Sequence, residues 1–227
     1  MIKGCIFDLD GTLLDSMSLW CDIDRIFLER RGKVCTPEYQ KAITAMEIRE
    51  TARYTIELFD LDESVDDVIE EWHELAVREY AENIALKSGA KELLSSLRDH
   101  GIRLAVATSS SERMFIPCLR RHGIYSLFSS IVTAGDVGIG KSSPAIYLKA
   151  ASDIGVSPSE CAVFEDLPTG LESAKGAGFT CIGILDEFSR DEWDEVKALS
   201  DGAIHGFSEL RSEKNSFFKS VFGYNLQ

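Results

Sequence analysis

The six cysteines (Cys5, Cys21, Cys35, Cys118, Cys161, Cys181) include no CxxC pair, so the common zinc and dithiol redox signatures are missing. Three of them lie in apolar runs, where buried free thiols are expected. Nor do the four histidines (His73, His100, His122, His205) contain HExxH or an i, i+4 pair, which argues against histidine-ligated metal. No apolar run approaches membrane-spanning length, and there is no internal repeat or low-complexity segment. Basic residues are scarce, 24 Lys and Arg against 38 Asp and Glu, for a net charge of -14 without a basic patch. Such a field repels nucleic-acid backbones and anionic membranes, so neither is an expected partner. It also opposes an anionic small molecule, so a phosphate site here needs local lysine and a metal ion. Met1 leads straight into a strand-like run rather than a signal peptide, and the expected setting is reducing and cytoplasmic, as a monomer or weak dimer.

What is present is an ordinary globular composition, 44% hydrophobic and 27% charged, on 227 residues. Short apolar runs at residues 2–7, 104–107, 131–133, 162–164 and 181–185 read as buried strands. Helix-period segments at about 90–100, 112–122, 145–154 and 169–177 alternate with them, the pattern of an α/β fold with a parallel sheet covered on both faces. Residues 16–86 break the rhythm. They hold helical stripes (Trp20, Ile23, Phe27, Leu28; Thr51, Tyr54, Thr55, Leu58; Val68, Trp72, Leu75, Ala76) and no convincing strand, so a helical insertion is expected there. The tail from Lys214 carries Phe217, Phe218, Phe222 and Tyr224, which fit packing on the sheet domain or on a partner.

Chemistry concentrates where these strands end. Asp8-Leu9-Asp10-Gly11-Thr12 places two carboxylates two residues apart after a buried run, on one side by the strand period, so that one can attack while the other handles protons. A turn-capping role explains one such Asp but not a pair. Thr108-Ser109-Ser110-Ser111 supplies hydroxyls and free N–H groups at a helix start, a phosphate cradle or equally an ordinary cap. Lys141 follows Gly140, and Glu165-Asp166 ends a fourth run. All four groups fall at one edge of a parallel sheet, where such folds bind ligands.

In their order, DLDGT, apolar-TSS, GK and FED, these motifs resemble the haloacid dehalogenase-like hydrolase superfamily, in its phosphoglucomutase-like and phosphoglycolate-phosphatase-like branch. The likeness runs to about Leu210. It implies a Rossmann-like doubly wound core of residues 1–15 and 87–227 with an inserted α-helical cap domain of residues 16–86. It further implies that Asp8 is the nucleophile of a phosphatase acting on a small phosphorylated metabolite, and Asp10 its general acid and base. Thr108, Ser109 and Lys141 would bind the phosphoryl group, and Asp8, Asp10 through its carbonyl, Asp166 and Glu165 would surround Mg²⁺. Ser142-Ser143-Pro144-Ala145 departs from the branch's Pro-x-Pro-Asp after the lysine, and Trp20 and Ala45 replace a hinge histidine and a cap glycine of the mutases. These differences favour hydrolysis over sugar-phosphate mutase activity. Two other readings compete. Gly135–Ser142 (GDVGIGKS) fits a nucleotide-triphosphatase phosphate loop, although it leaves Asp8, Asp10 and Thr108 without a role. A non-catalytic binding protein on the same fold is the other.

Overall fold

The computed structural model describes residues 1–43, 46, 48–211, 221 and 222. Ala45 and the aromatic tail other than Phe222 lie outside the described residues. Strand β1 (Gly4–Phe7) is buried at every position, as a strand covered on both faces must be. A tight loop follows, in which Leu9 O accepts the N–H groups of Leu13 and Leu14 at 2.9 and 2.7 Å, and Gly11 takes a φ of +80°. Two-residue strand β2 (Leu14–Asp15) leads out to four helices, α1 (Leu19–Arg30), α2 (Pro37–Ile43), α3 (Ile48–Phe59) and α4 (Val65–Glu82). The chain returns through β3 (Ala85–Leu86), which pairs antiparallel with β2.

From there helices and strands alternate: α5 (Ala90–Asp99), β4 (Arg103–Thr108), α6 (Glu112–Arg121), β5 (Ser130–Thr133), α7 (Ala134–Val137) and α8 (Ala145–Asp153), then β6 (Cys161–Glu165), α9 (Pro168–Gly176), β7 (Thr180–Ile184), α10 (Trp193–Leu199) and β8 (Gly202–Ile204). The six long-range strands form one parallel sheet in the order β5-β4-β1-β6-β7-β8, a Rossmann-like doubly wound arrangement. After β5 the chain crosses back to the other side of β1. The switch point therefore lies between β1 and β6, where the crevice at the strand C-termini opens. Register aligns those ends: Phe7 faces Val106 on one side and Phe164 on the other, and the Asp8 N–H donates to Phe164 O at 3.0 Å.

Two apolar layers hold the sheet. On one face Ile6, Ala105, Ala107 and Val163 pack with Ile146, Tyr147 and Ala150 of α8 and Leu171 and Ala174 of α9. On the other, Phe7 and Phe164 stack at 4.4 Å and Phe207 packs beside Phe164. Cys5, Cys118, Cys161 and Cys181 are buried, Cys21 and Cys35 half-buried, and all six are free thiols.

By contact density the chain divides into two compact units, Met1–Met17 with Ile84–Gln227, and Ser18–Asn83. Within the helical unit Phe27 meets the Trp72 ring edge-on at 5.5 Å, and Ile23, Leu28, Val68, Leu75 and Ala76 complete the core. Arg31 lies over the Phe27 ring and pairs with Glu63 and Glu71. Ser64 and Asp67 form a capping box at the start of α4. Two members of the expected stripes are not on buried faces: Trp20 is 45% exposed and Leu58 51%, with Leu19 and Asp24 buried beside Ile23 instead. A helix that covers only part of a small core buries a narrower stripe than its periodicity suggests. Among the described residues no helix is long and apolar enough to cross a membrane.

Candidate active site

Three carboxylates meet at the switch point. Asp8 stands one residue past β1, Glu165 ends β6 and Asp166 follows it, all buried, with one oxygen from each within 4.8 Å of the others. Lys141, on the loop between α7 and α8, sends its ammonium into this cluster and bonds both Asp8 Oδ1 and Glu165 Oε1. The Ser173 hydroxyl donates to Lys141 O at 2.6 Å and fixes the loop that carries it. Burial pushes the Asp8 carboxyl well above the ordinary range; Lys141 pulls it back, while Glu165 and Asp166 push further upward. Asp166 is pushed up to about 7 by burial first and then by Glu165. Burial opposes the charge on Lys141, but Asp8 and Glu165 outweigh it and hold the ammonium above the usual lysine range.

Fully ionised, three carboxylates against one ammonium carry a deficit of two charges, which one divalent cation balances, and such a cation offsets the mutual repulsion that raises Asp8 and Asp166. Asp166 makes the fit specific. Its Oδ1 accepts the Thr12 hydroxyl at 2.9 Å, whereas its Oδ2 is buried with no hydrogen-bond partner among the described residues. A buried carboxylate oxygen left this way is costly without a ligand. Gly11 keeps that oxygen clear, since a Cβ there would lie 2.2 Å from it. An all-oxygen donor set suits a hard cation such as Mg²⁺, Ca²⁺ or Mn²⁺.

Asp10 is outside this cluster. Its two oxygens accept hydroxyls from Ser16, at 2.6 Å, and from Ser110, which ties the loop after β4 to the loop after β1. Thr108 is fully buried at the end of β4, one step beyond Asp8 in the register, and its Oγ1 accepts the Ser110 N–H at 3.0 Å. Ser109 is exposed at the same edge. Thr12, Ser16, Ser110 and Tyr147, whose hydroxyl donates to Glu165 at 2.7 Å, all touch these groups and went unassigned in the sequence. Ser110 stands inside the hydroxyl cluster and Thr12 inside the Asp8–Thr12 motif, whereas Ser16 and Tyr147 carry no local signal.

The segment GDVGIGKS does not form a phosphate loop. Residues 134–137 make a helical turn closed by a Thr133–Asp136 capping box, the next helix starts only at Ala145, and Lys141 points at carboxylates.

Residues 2–178 match the family model described as haloacid dehalogenase-like hydrolase. The chain is 32% identical to a phosphorylated carbohydrates phosphatase of Thermotoga maritima over 201 residues, 88% of each chain. It is 35% identical to hexitol phosphatase A of Escherichia coli over 219 residues, covering 93% of this chain and 94% of that one. Among solved structures it resembles a Thermotoga maritima protein described as a candidate beta-phosphoglucomutase, with a TM-score of 0.83, 27% identity, and 97% and 100% of the two chains covered. Together with the switch-point carboxylates, these matches place the chain in the haloacid dehalogenase-like hydrolase family, as one of its phosphoric monoester hydrolases.

Proposed function

We propose that the protein is a Mg²⁺-dependent phosphatase that hydrolyses a small phosphate monoester, a sugar phosphate or similar metabolite, through an aspartyl-phosphate on Asp8. The observation that carries this reading is the buried Asp8, held by Lys141 beside a carboxylate oxygen of Asp166 that has no hydrogen-bond partner among the described residues. Asp8, Asp166 and the Asp10 carbonyl are the proposed holders of Mg²⁺, which when bound offsets the charge repulsion between carboxylate and phosphate.

An Asp8 oxygen attacks phosphorus as the bond to the ester oxygen breaks, and Asp10 gives that departing oxygen a proton. Water then attacks the phosphorus of the acyl phosphate, Asp10 takes its proton back, and Asp8 leaves as a free carboxylate with release of inorganic phosphate. Lys141, Thr108 and the Ser109 backbone hold the phosphoryl oxygens. Ser16 and Ser110 fix the carboxylate that must act as acid and then as base. In this reading the helical unit is the cap that selects the leaving group, and the reduced cysteines fit a cytoplasmic setting.

Sugar-phosphate mutase activity is the second reading, favoured by the likeness to the candidate beta-phosphoglucomutase. A panel of phosphate monoesters with Mg²⁺ separates the two. Inorganic phosphate should appear one for one with substrate consumed, with no bisphosphate activator. Conversion of a hexose 1-phosphate to its 6-phosphate without phosphate release would establish the mutase instead.

A further inference from the structure

Glu165 and Asp166 are neighbours in sequence, both buried at the end of β6, yet their oxygens are in opposite states. Glu165 Oε1 accepts the Lys141 ammonium and the Tyr147 hydroxyl, and Oε2 accepts the N–H groups of Asp166 and Leu167 at 3.2 and 3.4 Å. A carboxylate offers about four acceptor positions, so the protein itself fills those of Glu165. Asp166 keeps one oxygen with none. Only the second has an acceptor position left for a cation.

Tyr147 is fully buried on α8, against Phe179. A buried phenol needs some partner, and a backbone carbonyl would serve for packing alone. Its partner here is instead the carboxylate that grips Lys141, which in turn bonds Asp8. Gly170 on α9 leaves room for the contact: a Cβ there would lie 2.6 Å from Glu165 Cδ and 2.7 Å from the Tyr147 hydroxyl. Three elements, α8, β6 and α9, thus converge on one carboxylate whose remaining bond runs to the lysine.

We propose that Glu165 and Tyr147 are positioning residues for Lys141 rather than metal ligands: the Tyr147 hydroxyl fixes the Glu165 carboxylate, which holds the ammonium over Asp8 where phosphoryl oxygens arrive. The assignment rests on the phosphatase reading above.

Calorimetry with two probes tests it, Mg²⁺ alone and inorganic phosphate in saturating Mg²⁺. Tyr147→Phe should weaken phosphate binding by roughly tenfold, as outer-shell changes do, and leave Mg²⁺ affinity within about threefold. In a Lys141→Ala background the same substitution should have no further effect on phosphate. Glu165→Gln and Asp166→Asn each remove one negative charge from the same cluster, so a difference between them reads direct ligation. Asp166→Asn should lose at least about ten times more Mg²⁺ affinity than Glu165→Gln. This pair also decides the matter if thermal melts show that Tyr147→Phe does not fold. Equal metal losses in the pair, an unchanged phosphate affinity in folded Tyr147→Phe, or an undiminished effect without Lys141 would each overturn the proposal. A wild-type protein that binds neither probe would instead overturn the phosphatase reading beneath it.

Discussion

Asp24 on α1 is buried in the helical unit, and burial pushes its carboxyl up to about 7 against the opposing hydrogen bond from Tyr39. Its hydroxyl neighbours lie on one chain: Thr55 donates to Thr51 O at 2.7 Å and shares a 2.8 Å hydrogen bond with the Tyr39 hydroxyl, whose bond to Asp24 favours the carboxylate but does not offset its burial. The half-buried Cys21 and Cys35 thiols also feel the Asp24 charge and are pushed up, by burial first and then by Asp24, so they supply no compensation. Because the folded-state value is raised, the folded protein keeps this proton where the unfolded chain has lost it. The stability that this group contributes is therefore full below about pH 4, falls as pH rises, and is gone above about pH 7. From the ordinary 3.8 to about 7, at about 1.4 kcal/mol per pH unit, the loss reaches on the order of 4 kcal/mol. Asp24→Asn keeps an acceptor for the Tyr39 hydroxyl and removes the titration. Urea unfolding of both proteins between about pH 4.5 and 7.5, followed by fluorescence of buried Trp72, should show the variant gaining on the wild type with each step upward. A stability difference that stays flat with pH would refute the argument.

Mg²⁺ should raise the Tm of the wild-type protein, a readout independent of turnover, and should not raise that of Asp166→Asn, which loses the unpartnered carboxylate oxygen. Gly11→Ala should cost at least about 1 kcal/mol in denaturant unfolding from its left-handed φ alone, and Mg²⁺ titration should show affinity lost as the new Cβ displaces Asp166. Normal stability and metal binding in that variant would contradict the packing described for the loop after β1.

The sheet was legible because parallel strands are buried on both faces, and runs such as CIF, LAVA and AVF leave little room for another assignment. The functional edge was legible for the same reason, since a polar group that ends such a run must lie at the sheet's rim. Strand β8 escaped notice because Gly202–Ile204 is three residues long and sits at the sheet edge. The bonds that fix the site were illegible for a different reason. Thr12 reaches Asp166 across 154 residues, Ser110 reaches Asp10 across 100, and Tyr147 reaches Glu165 across 18, separations that carry no periodic signal. Trp20 shows the limit of periodicity in the other direction, falling on a helical stripe yet left 45% exposed.

The most direct test of the central claim is a single-turnover reaction with a radiolabelled phosphate monoester and Mg²⁺, quenched in acid, with the site of any covalent label mapped by mass spectrometry. The wild-type protein should carry label on Asp8 and release it as inorganic phosphate, and Asp8→Asn, folded as judged by its Tm, should neither take label nor turn over. Turnover near the wild-type level in Asp8→Asn, or label on a residue other than Asp8, would contradict the account.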